Sequence, residues 1–318
     1  MIRRPLGSTG VEVSRLALGG HEYLPDGRSR GFNEDMRAAV TPGWIGEGYG
    51  GPRRLAVIDA AWAAGIDFLD VTIDSEKEAL GRNLGERPPP YPVCVQTRPE
   101  GMCYSYDPGN RRMTDYAQLE AEVRRTLALL RRERLDFLNI GILRAALDGD
   151  RTFLATMKRN LDRLKREGLV RFAVADCFSG EATYLAQIES GAFDAVNVDL
   201  NFADRGPLRR VLPAARRAGL GVIGREAFLK GALFDLGASA GCRDRPALAR
   251  VALKWVLQQD VDTVIVGVAD AAQLREAVAI LDRPDLDDAD RTLLARIEAS
   301  TPCRDYAARK SQEFLGQD

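Results

Sequence analysis

The chain lacks the features that mark several large classes of protein. Its 318 residues include one histidine and five dispersed cysteines without a CxxC pair, which argues against a zinc site and against a disulfide framework. No run of about 18 apolar residues is present, so the sequence predicts no membrane span. The opening residues, MIRRPLGSTG, lack the apolar stretch of a signal peptide, and we therefore expect a cytoplasmic protein.

An excess of charge of either sign is also missing. The chain has 45 Lys and Arg against 46 Asp and Glu, a formal net charge of -1, which removes the electrostatic case for binding nucleic acid. Hydrophobic residues make up 45% and charged residues 29%, which indicates a folded globular protein. The length is about twice that of an ordinary domain and fits either two domains or one large α/β barrel.

Short apolar runs alternate with long amphipathic stretches along the chain, after a predicted hairpin over residues 2 to 14. The strand candidates lie at 15–18, 67–70, 93–96, 137–140, 172–175, 195–198, 221–223 and 263–266. The helical patterns between them lie at 55–64, 116–131, 152–167, 181–189, 208–218 and 246–259. Near-continuous apolar strands of this kind are typical of parallel strands buried on both faces. Eight such units predict an α/β fold, a (β/α)8 TIM barrel, as a single domain over residues 1–318.

A long glycine-rich segment, residues 21–52, follows the first strand candidate, and we call it the insertion. It contains the aromatic and imidazole side chains of His21, Tyr23, Phe32, Trp44 and Tyr49. A loop of this length is usually functional or disordered. Its aromatic residues favour an ordered lid over the mouth of the barrel.

Chemistry in barrels of this class takes place on the loops after the carboxyl ends of the strands. His21 directly follows the first strand candidate, so a catalytic role stands beside the plainer interpretation of a structural histidine. The carboxylates that could include a general base are Asp70, Asp74, Asp176, Asp199 and Glu226. The arginines suited to an anionic group are Arg98, Arg144 and Arg225.

Five segments in order along nearly the whole chain resemble the aldo-keto reductase superfamily. They are PLGSTGVEVSRLALGG, AAGIDFLDVTIDSEKEALG, RRERLDFLNIG, REAFLKGAL and ALKWVLQQDVDTVIVGVADAAQLREA. The resemblance implies a (β/α)8 barrel with an N-terminal hairpin. It also implies reduction of carbonyl groups with NADPH through an Asp, a Tyr, a Lys and a His.

The chain departs from that family pattern at three of the four catalytic positions. Asp70 matches the Asp, but residues 73–76 occupy the stretch of the Tyr, Arg98 replaces the Lys, and Gly141 stands where the His is expected. Arginine is permanently charged, so it suits an oxyanion and is a poor general acid. Tyr23 and Tyr49 are the nearest candidates to replace the missing Tyr.

The cofactor positions implied by the resemblance differ as well. Asp176 follows Ala175 where the family has Ser-Asn, and Arg225 aligns with the aromatic residue that stacks on the nicotinamide. Asp270 lies near the expected 2′-phosphate site and would repel a phosphate. Asp176, Asn197 and Arg225 are therefore cofactor-binding candidates only if a nicotinamide is retained. We expect no cofactor, with NADP or NAD as the alternative.

Three functions stay open. The favoured one is an enzyme that has lost NADPH-dependent reduction and performs acid/base chemistry, an elimination, epimerisation or isomerisation of a small polar carbonyl or hydroxy compound. Its candidate catalytic residues are Asp70, Arg98, His21, Tyr23 and Glu226. The alternatives are an NAD(P)H-dependent oxidoreductase with a relocated proton donor and a non-catalytic protein that binds a ligand or partner. We expect a small-molecule substrate, no nucleic acid, no membrane and no metal ion, and the oligomeric state is left open.

Overall fold

The structure is a computed structural model of the chain that describes residues 1–24, 27–103, 106–177 and 179–316. The strands of this part of the chain form an N-terminal hairpin and a barrel. In chain order they are β1 (Arg3–Pro5), β2 (Glu12–Ser14), β3 (Leu16–Gly19), β4 (Phe68–Asp70), β5 (Cys94–Thr97), β6 (Leu135–Ile142), β7 (Val170–Cys177), β8 (Ala195–Asp199), β9 (Gly221–Arg225) and β10 (Thr263–Val266).

The strands β3 to β10 close into a barrel of eight parallel strands, in which β10 is hydrogen-bonded to β3 as well as to β9. This confirms the predicted (β/α)8 TIM barrel, and β1 and β2 form the predicted antiparallel hairpin. The predicted strand ends are close to the observed ones; β6, for example, was expected at 137–140 and spans Leu135–Ile142. That residues 1–318 make a single domain stays a prediction.

The helices lie between the strands and, after β10, at the C-terminal end. In chain order they are α1 (Met36–Ala39), α2 (Pro52–Ala64), α3 (Asp74–Glu86), α4 (Arg111–Thr114), α5 (Tyr116–Leu130), α6 (Arg144–Gly149), α7 (Phe153–Arg166), α8 (Glu181–Glu189), α9 (Val211–Arg217), α10 (Ala232–Ser239), α11 (Arg245–Leu257), α12 (Ala271–Ala279), α13 (Asp288–Glu298) and α14 (Thr301–Leu315). None of the helices in the described ranges has the length and apolar character needed to cross a membrane.

The hairpin closes the amino-terminal end of the barrel. Leu6, Val11 and Val13 belong to the same buried apolar cluster as the inward-facing Phe68 and Phe137. The Asp67 carboxylate, just before β4, accepts a hydrogen bond of 2.7 Å from the Ser14 amide. Because the hairpin closes this end, the polar side chains of the barrel interior that can meet a ligand lie at the opposite end.

The inward-facing side chains change from apolar to polar over two residues. Alternate residues of a strand point to the same face, and the apolar inward layer consists of Ala17, Phe68, Phe137, Val174, Ala195, Ile223 and Ile265. Two residues further along the same strands lie Gly19, Asp70, Asn139, Asp176, Asn197, Arg225 and Gly267. The barrel mouth is therefore lined by charged and amide side chains that rest directly on an apolar floor.

The insertion packs against the ends of β10, β3, β4 and β5. Its Phe32, Trp44 and Tyr49 form an apolar cluster with Ile73, the residue before α3. The Tyr23 hydroxyl lies against Gly267 after β10, where a Cβ atom would collide with it. Pro42 lies against Gly101 after β5. The insertion thus packs along one side of the mouth, while its role as a lid stays a prediction.

A buried ion-pair network holds the insertion to α3. Lys77 has no exposed side-chain surface and lies 3.0 Å from the Asp74 carboxylate and 3.8 Å from that of Glu100. Asp74 also accepts a hydrogen bond of 2.7 Å from the Gly43 amide and binds Arg125. Because buried charges are costly without partners, these contacts tie the insertion, α3 and α5 into one unit.

We expect Lys77→Met to lower the free energy of unfolding by about 3–5 kcal/mol, because it leaves buried carboxylates without their cation. Urea unfolding followed by circular dichroism measures the change. The matched control is Lys158→Met, which breaks a half-exposed ion pair with Asp162 on α7 and should change stability by less than about 1 kcal/mol. Equal effects of the two substitutions would contradict the assigned role of Lys77.

Candidate active site

Asp70 lies at the mouth of the barrel, at the carboxyl end of β4, and is half-buried. It is paired in register with Gln96 of β5, whose Nε2 donates a hydrogen bond of 2.8 Å to Asp70 Oδ1. Burial raises the pKa of Asp70 to about 6, against the lowering effects of the Gln96 hydrogen bond and of the charges of His21 and Arg225. A carboxyl group with this pKa exchanges protons close to neutral pH, as a general acid or base must.

His21 reaches the mouth from the start of the insertion. The preceding residue, Gly20, passes so close to β4 that a Cβ atom there would lie 2.7 Å from the Asp70 carbonyl oxygen. The imidazole Nδ1 lies 2.7 Å from Glu76 Oε1, and 38% of the His21 side chain is exposed. No described residue accepts a hydrogen bond from its Nε2, which leaves that atom available for proton transfer.

Glu76 fixes the orientation of the His21 ring. It lies in the first turn of α3, and its other carboxylate oxygen accepts hydrogen bonds from the Thr72 amide at 2.8 Å and the Thr72 hydroxyl at 2.9 Å. The carboxylate is therefore held from both sides. An imidazole oriented by a fixed carboxylate is the arrangement found in proton-transferring sites.

The His21–Glu76 pair favours the ionised form of both groups. Burial opposes charge on Glu76, but the His21 charge and the hydrogen bonds from His21 and Thr72 lower its pKa to about 2. Burial lowers the pKa of His21, yet the charge and hydrogen bond of Glu76 outweigh it, and the net pKa is raised with help from Asp70. The nearby Arg98 charge opposes that rise.

Arg98 and His21 share a contact with Phe32 of the insertion. Arg98 is 7% exposed, and its guanidinium lies 5.6 Å from the centre of the Phe32 ring. The same ring meets the His21 imidazole edge-on, with 5.1 Å between centroids. We call Asp70, His21, Glu76 and Arg98 the acid/base cluster, since electrostatic interactions also connect His21 with Asp70 and Arg98.

The candidate cofactor-binding residues Asp176 and Arg225 bind each other. The Arg225 guanidinium donates two parallel hydrogen bonds of 2.7 and 2.8 Å to the fully buried Asp176 carboxylate, and its Nε binds Asp199. Bidentate pairs of this geometry are among the stronger polar contacts in proteins. Asn197 of β8 is buried beside them, and its side-chain oxygen has no hydrogen-bond partner in the described part of the chain.

Glu226 lies on the far side of the mouth from Arg98. It follows β9, which is opposite β5 in the ring of eight strands, and its backbone has a left-handed φ of 61°. Its carboxylate is 2.7 Å from Lys230 Nζ. Burial and the charge of Asp199 raise the pKa of Glu226 to about 7, against the effect of Lys230. No contact among the described residues joins Glu226 to His21, and its predicted catalytic role stays a prediction.

The remaining sequence candidates make other contacts. The Tyr49 ring packs in the apolar cluster of the insertion, and Tyr23 lies against Gly267, so the described contacts join neither hydroxyl to Asp70. Burial raises the pKa of Tyr23 further above its ordinary value. Asp74 is part of the buried ion-pair network around Lys77. Arg144 forms a solvent-exposed ion pair with Asp148.

Two residues of the mouth were missed from the sequence. Glu76 belongs to the segment AAGIDFLDVTIDSEKEALG, which carries part of the family resemblance without giving Glu76 a role, and Gln96 is the last residue of the strand predicted at 93–96. A signal for Gln96 was present, because it lies two residues after the inward-facing Cys94. The resemblance places Glu76 in a motif but does not show that it orients His21, since that role depends on where α3 begins.

The single histidine allows a direct test of the His21–Glu76 pair. We expect the imidazole to titrate above its ordinary pKa of about 6.5, and Glu76→Gln to lower that pKa, because the substitution removes the carboxylate that stabilises the imidazolium. NMR titration of the one histidine ring measures both values. Glu78→Gln, on the same helix but in an ion pair with Arg82, is the control.

The same pair stabilises the fold over a defined pH range. The contribution of Glu76 is present above its unfolded pKa of about 4.5 and is lost as the pH falls toward 2. That of His21 is present below about pH 6.5 and is lost as the pH rises through the raised pKa of the folded state. An imidazole that titrates at or below 6.5 in the native chain would contradict the pairing.

The residues that the structure describes contain no group of three His, Cys, Asp or Glu side chains placed to hold a metal ion. No protein-family model matches the chain, and a search of curated proteins finds no match. The resemblance to aldo-keto reductases therefore remains a prediction from the sequence segments.

Proposed function

We propose that the protein is an enzyme that moves a proton next to a carbonyl or hydroxyl group of a small polar substrate, as in elimination, epimerisation or isomerisation. The observation that carries the proposal is the His21–Glu76 ion pair of 2.7 Å beside a carboxyl group, Asp70, whose pKa is raised to about 6. Neighbouring carboxyl groups whose pKa values are pushed apart by their surroundings, here Asp70 at about 6 and Glu76 at about 2, are typical of acid/base sites.

The surroundings of Asp70 and His21 suggest the role of each. At neutral pH Asp70, with a pKa of about 6, is mostly ionised and accepts the proton from the substrate carbon. The Glu76 carboxylate raises the pKa of His21 and so favours the protonated imidazole, which donates from Nε2. In an elimination, the departing hydroxyl group would take the His21 proton and leave as water. Arg98 would hold the developing oxyanion, because a guanidinium keeps its charge throughout the reaction. Glu76 acts through His21 and is a positioning residue.

The residues at the family's cofactor positions argue against a nicotinamide bound in the family's manner. Arg225 is held by Asp176 and Asp199, so neither Arg225 nor Asp176 is free to meet the ring or its carboxamide. Asp270 caps α12 by accepting hydrogen bonds from the Ala272 and Gln273 amides. The Asp270 carboxylate therefore occupies the amides of the helix N-terminus, which would otherwise attract a phosphate.

An NAD(P)H-dependent oxidoreductase is the second candidate, and one observation favours it. The buried side-chain oxygen of Asn197 has no partner in the described ranges, and a carboxamide could donate a hydrogen bond to it. For either enzyme, the partner that we expect at the mouth of the barrel is a small molecule. Cytoplasm is the compartment we favour, since all five cysteines are free.

The proposed reaction can be tested without knowing the substrate. We expect the purified chain, without cofactor, to exchange carbon-bound hydrogen for deuterium in one or more members of a panel of 2-keto and 2-hydroxy acids in D2O, followed by proton NMR. His21→Ala and Asp70→Asn should slow the exchange about 100-fold or more, because each removes a proton-transferring group. The native rate should fall below about pH 6, where Asp70 becomes protonated.

Two controls make that result specific. Melting temperatures of the variants show whether the loss is one of folding, and Glu78→Gln should leave the exchange rate unchanged. Exchange that survives His21→Ala would remove His21 from the mechanism. A complete lack of exchange across the panel would favour a ligand-binding protein.

The cofactor alternative has its own test. We expect no change in NADPH or NADH fluorescence up to millimolar protein and cofactor, because Arg225 and Asp176 are already paired. Micromolar binding that Asn197→Ala weakens would instead support the oxidoreductase. Gln258→Ala, on the outside of the barrel after α11, serves as the control for an amide removed elsewhere.

A further inference from the structure

A cavity of about 270 Å³ lies at the ends of β7, β8 and β9, beneath the C-terminal helix α14. In the ring of eight strands β8 is opposite β4, so this cavity is across the mouth from Asp70. The rings of Tyr184 and Phe314, with 6.3 Å between their centroids, and Pro207 form its apolar wall. Helix α14 is seated closely here, because a Cβ atom at Gly180 would collide with the Phe314 carbonyl group.

The cavity also contains a buried carboxylate with an unused oxygen. Asp204 is 7% exposed, lines the cavity, and its Oδ1 has no hydrogen-bond partner in the described part of the chain. Burial and the charge of Asp199 raise the pKa of Asp204 to about 6, with Glu313 acting in the same direction and Lys310 and the Gly206 amide against it. A buried acceptor without a donor is costly and rare in native structures.

The neighbouring cations are already engaged with other carboxylates. Lys230 lies 2.7 Å from Glu226, Lys310 lies 2.8 Å from Glu313, and Arg225 is held by Asp176 and Asp199. The carboxyl groups that line the cavity are those of Asp199, Asp204 and Glu313, and the ammonium groups are those of Lys230 and Lys310. Three carboxyl groups and two ammonium groups therefore line the cavity, an excess of one negative charge when all are ionised, which favours a cation there.

We propose that this cavity binds a small organic cation, with a primary ammonium group hydrogen-bonded to Asp204 Oδ1 and an apolar body against Tyr184 and Phe314. An ammonium group supplies the donor that Asp204 lacks. The described carboxylates are not grouped as metal ligands, and the cavity is just below the range of about 300–1,000 Å³ typical of drug-sized ligands. Binding here does not depend on the reaction proposed at the acid/base cluster.

Isothermal titration calorimetry with benzylamine and benzyl alcohol tests the proposal on the native chain. The two probes have nearly the same shape, and only the amine carries a charge at pH 7.5. We expect saturable binding of benzylamine with a Kd of about 1 mM or lower and at least about 10-fold weaker binding of the alcohol, since the charge-assisted hydrogen bond is lost. Equal affinity for the two probes, or no benzylamine binding up to 10-fold above that concentration, would overturn the proposal.

Variants locate the site within the molecule. Asp204→Asn should weaken benzylamine binding about 10-fold or more, and Asp235→Asn, an exposed carboxylate on α10, should leave it unchanged although it removes the same charge. Undiminished binding by Asp204→Asn, with an unchanged melting temperature, would place the amine elsewhere. The comparison of amine with alcohol on the native chain decides the question even if Asp204→Asn does not fold.

Discussion

Charged side chains at the mouth of the barrel rest on an apolar floor, and the cost of burying an unpaired charge governs what each of them can do. Asp70, Asp176 and Arg225 each follow an inward-facing apolar residue by two positions along the strand. Asp176 meets a guanidinium, whereas Asp70 meets the neutral amide of Gln96. The difference in partner leaves Asp70 with a raised pKa and a proton to exchange, while Asp176 is committed to an ion pair.

The sequence predicted the barrel well because the barrel depends on local patterns. Each barrel strand is a short apolar run bounded by turn residues, and alternation with amphipathic helices leaves few other folds for a chain of this length. The strand ends could therefore be located, and with them Asp70, Arg98 and Arg225. Their partners could not, because pairing depends on register across several strands: Arg225 of β9 reaches past β8 to Asp176 of β7.

The insertion also shows that local patterns predict packing better than they predict the partner of a given side chain. Its aromatic residues predicted ordered packing, and Phe32 does contact both His21 and Arg98. The residue that orients His21, however, comes from outside the insertion, from the first turn of α3. That helix begins at Asp74, where the buried Lys77 and the Gly43 amide hold it. The position of Glu76 thus follows from a tertiary network that no local pattern encodes.

Arg225 connects the two halves of the mouth. Its charge lowers the pKa of Asp70 on one side and of Asp199 and Glu226 on the other. The pair of Asp176 and Asp199 keeps this cation in the centre, so the acid/base cluster and the carboxylate-rich cavity experience the same fixed charge. Under the proposed function, the ion pairs that keep Arg225 and Asp176 from contacting a nicotinamide also fix the position of the charge that lowers the pKa of Asp70.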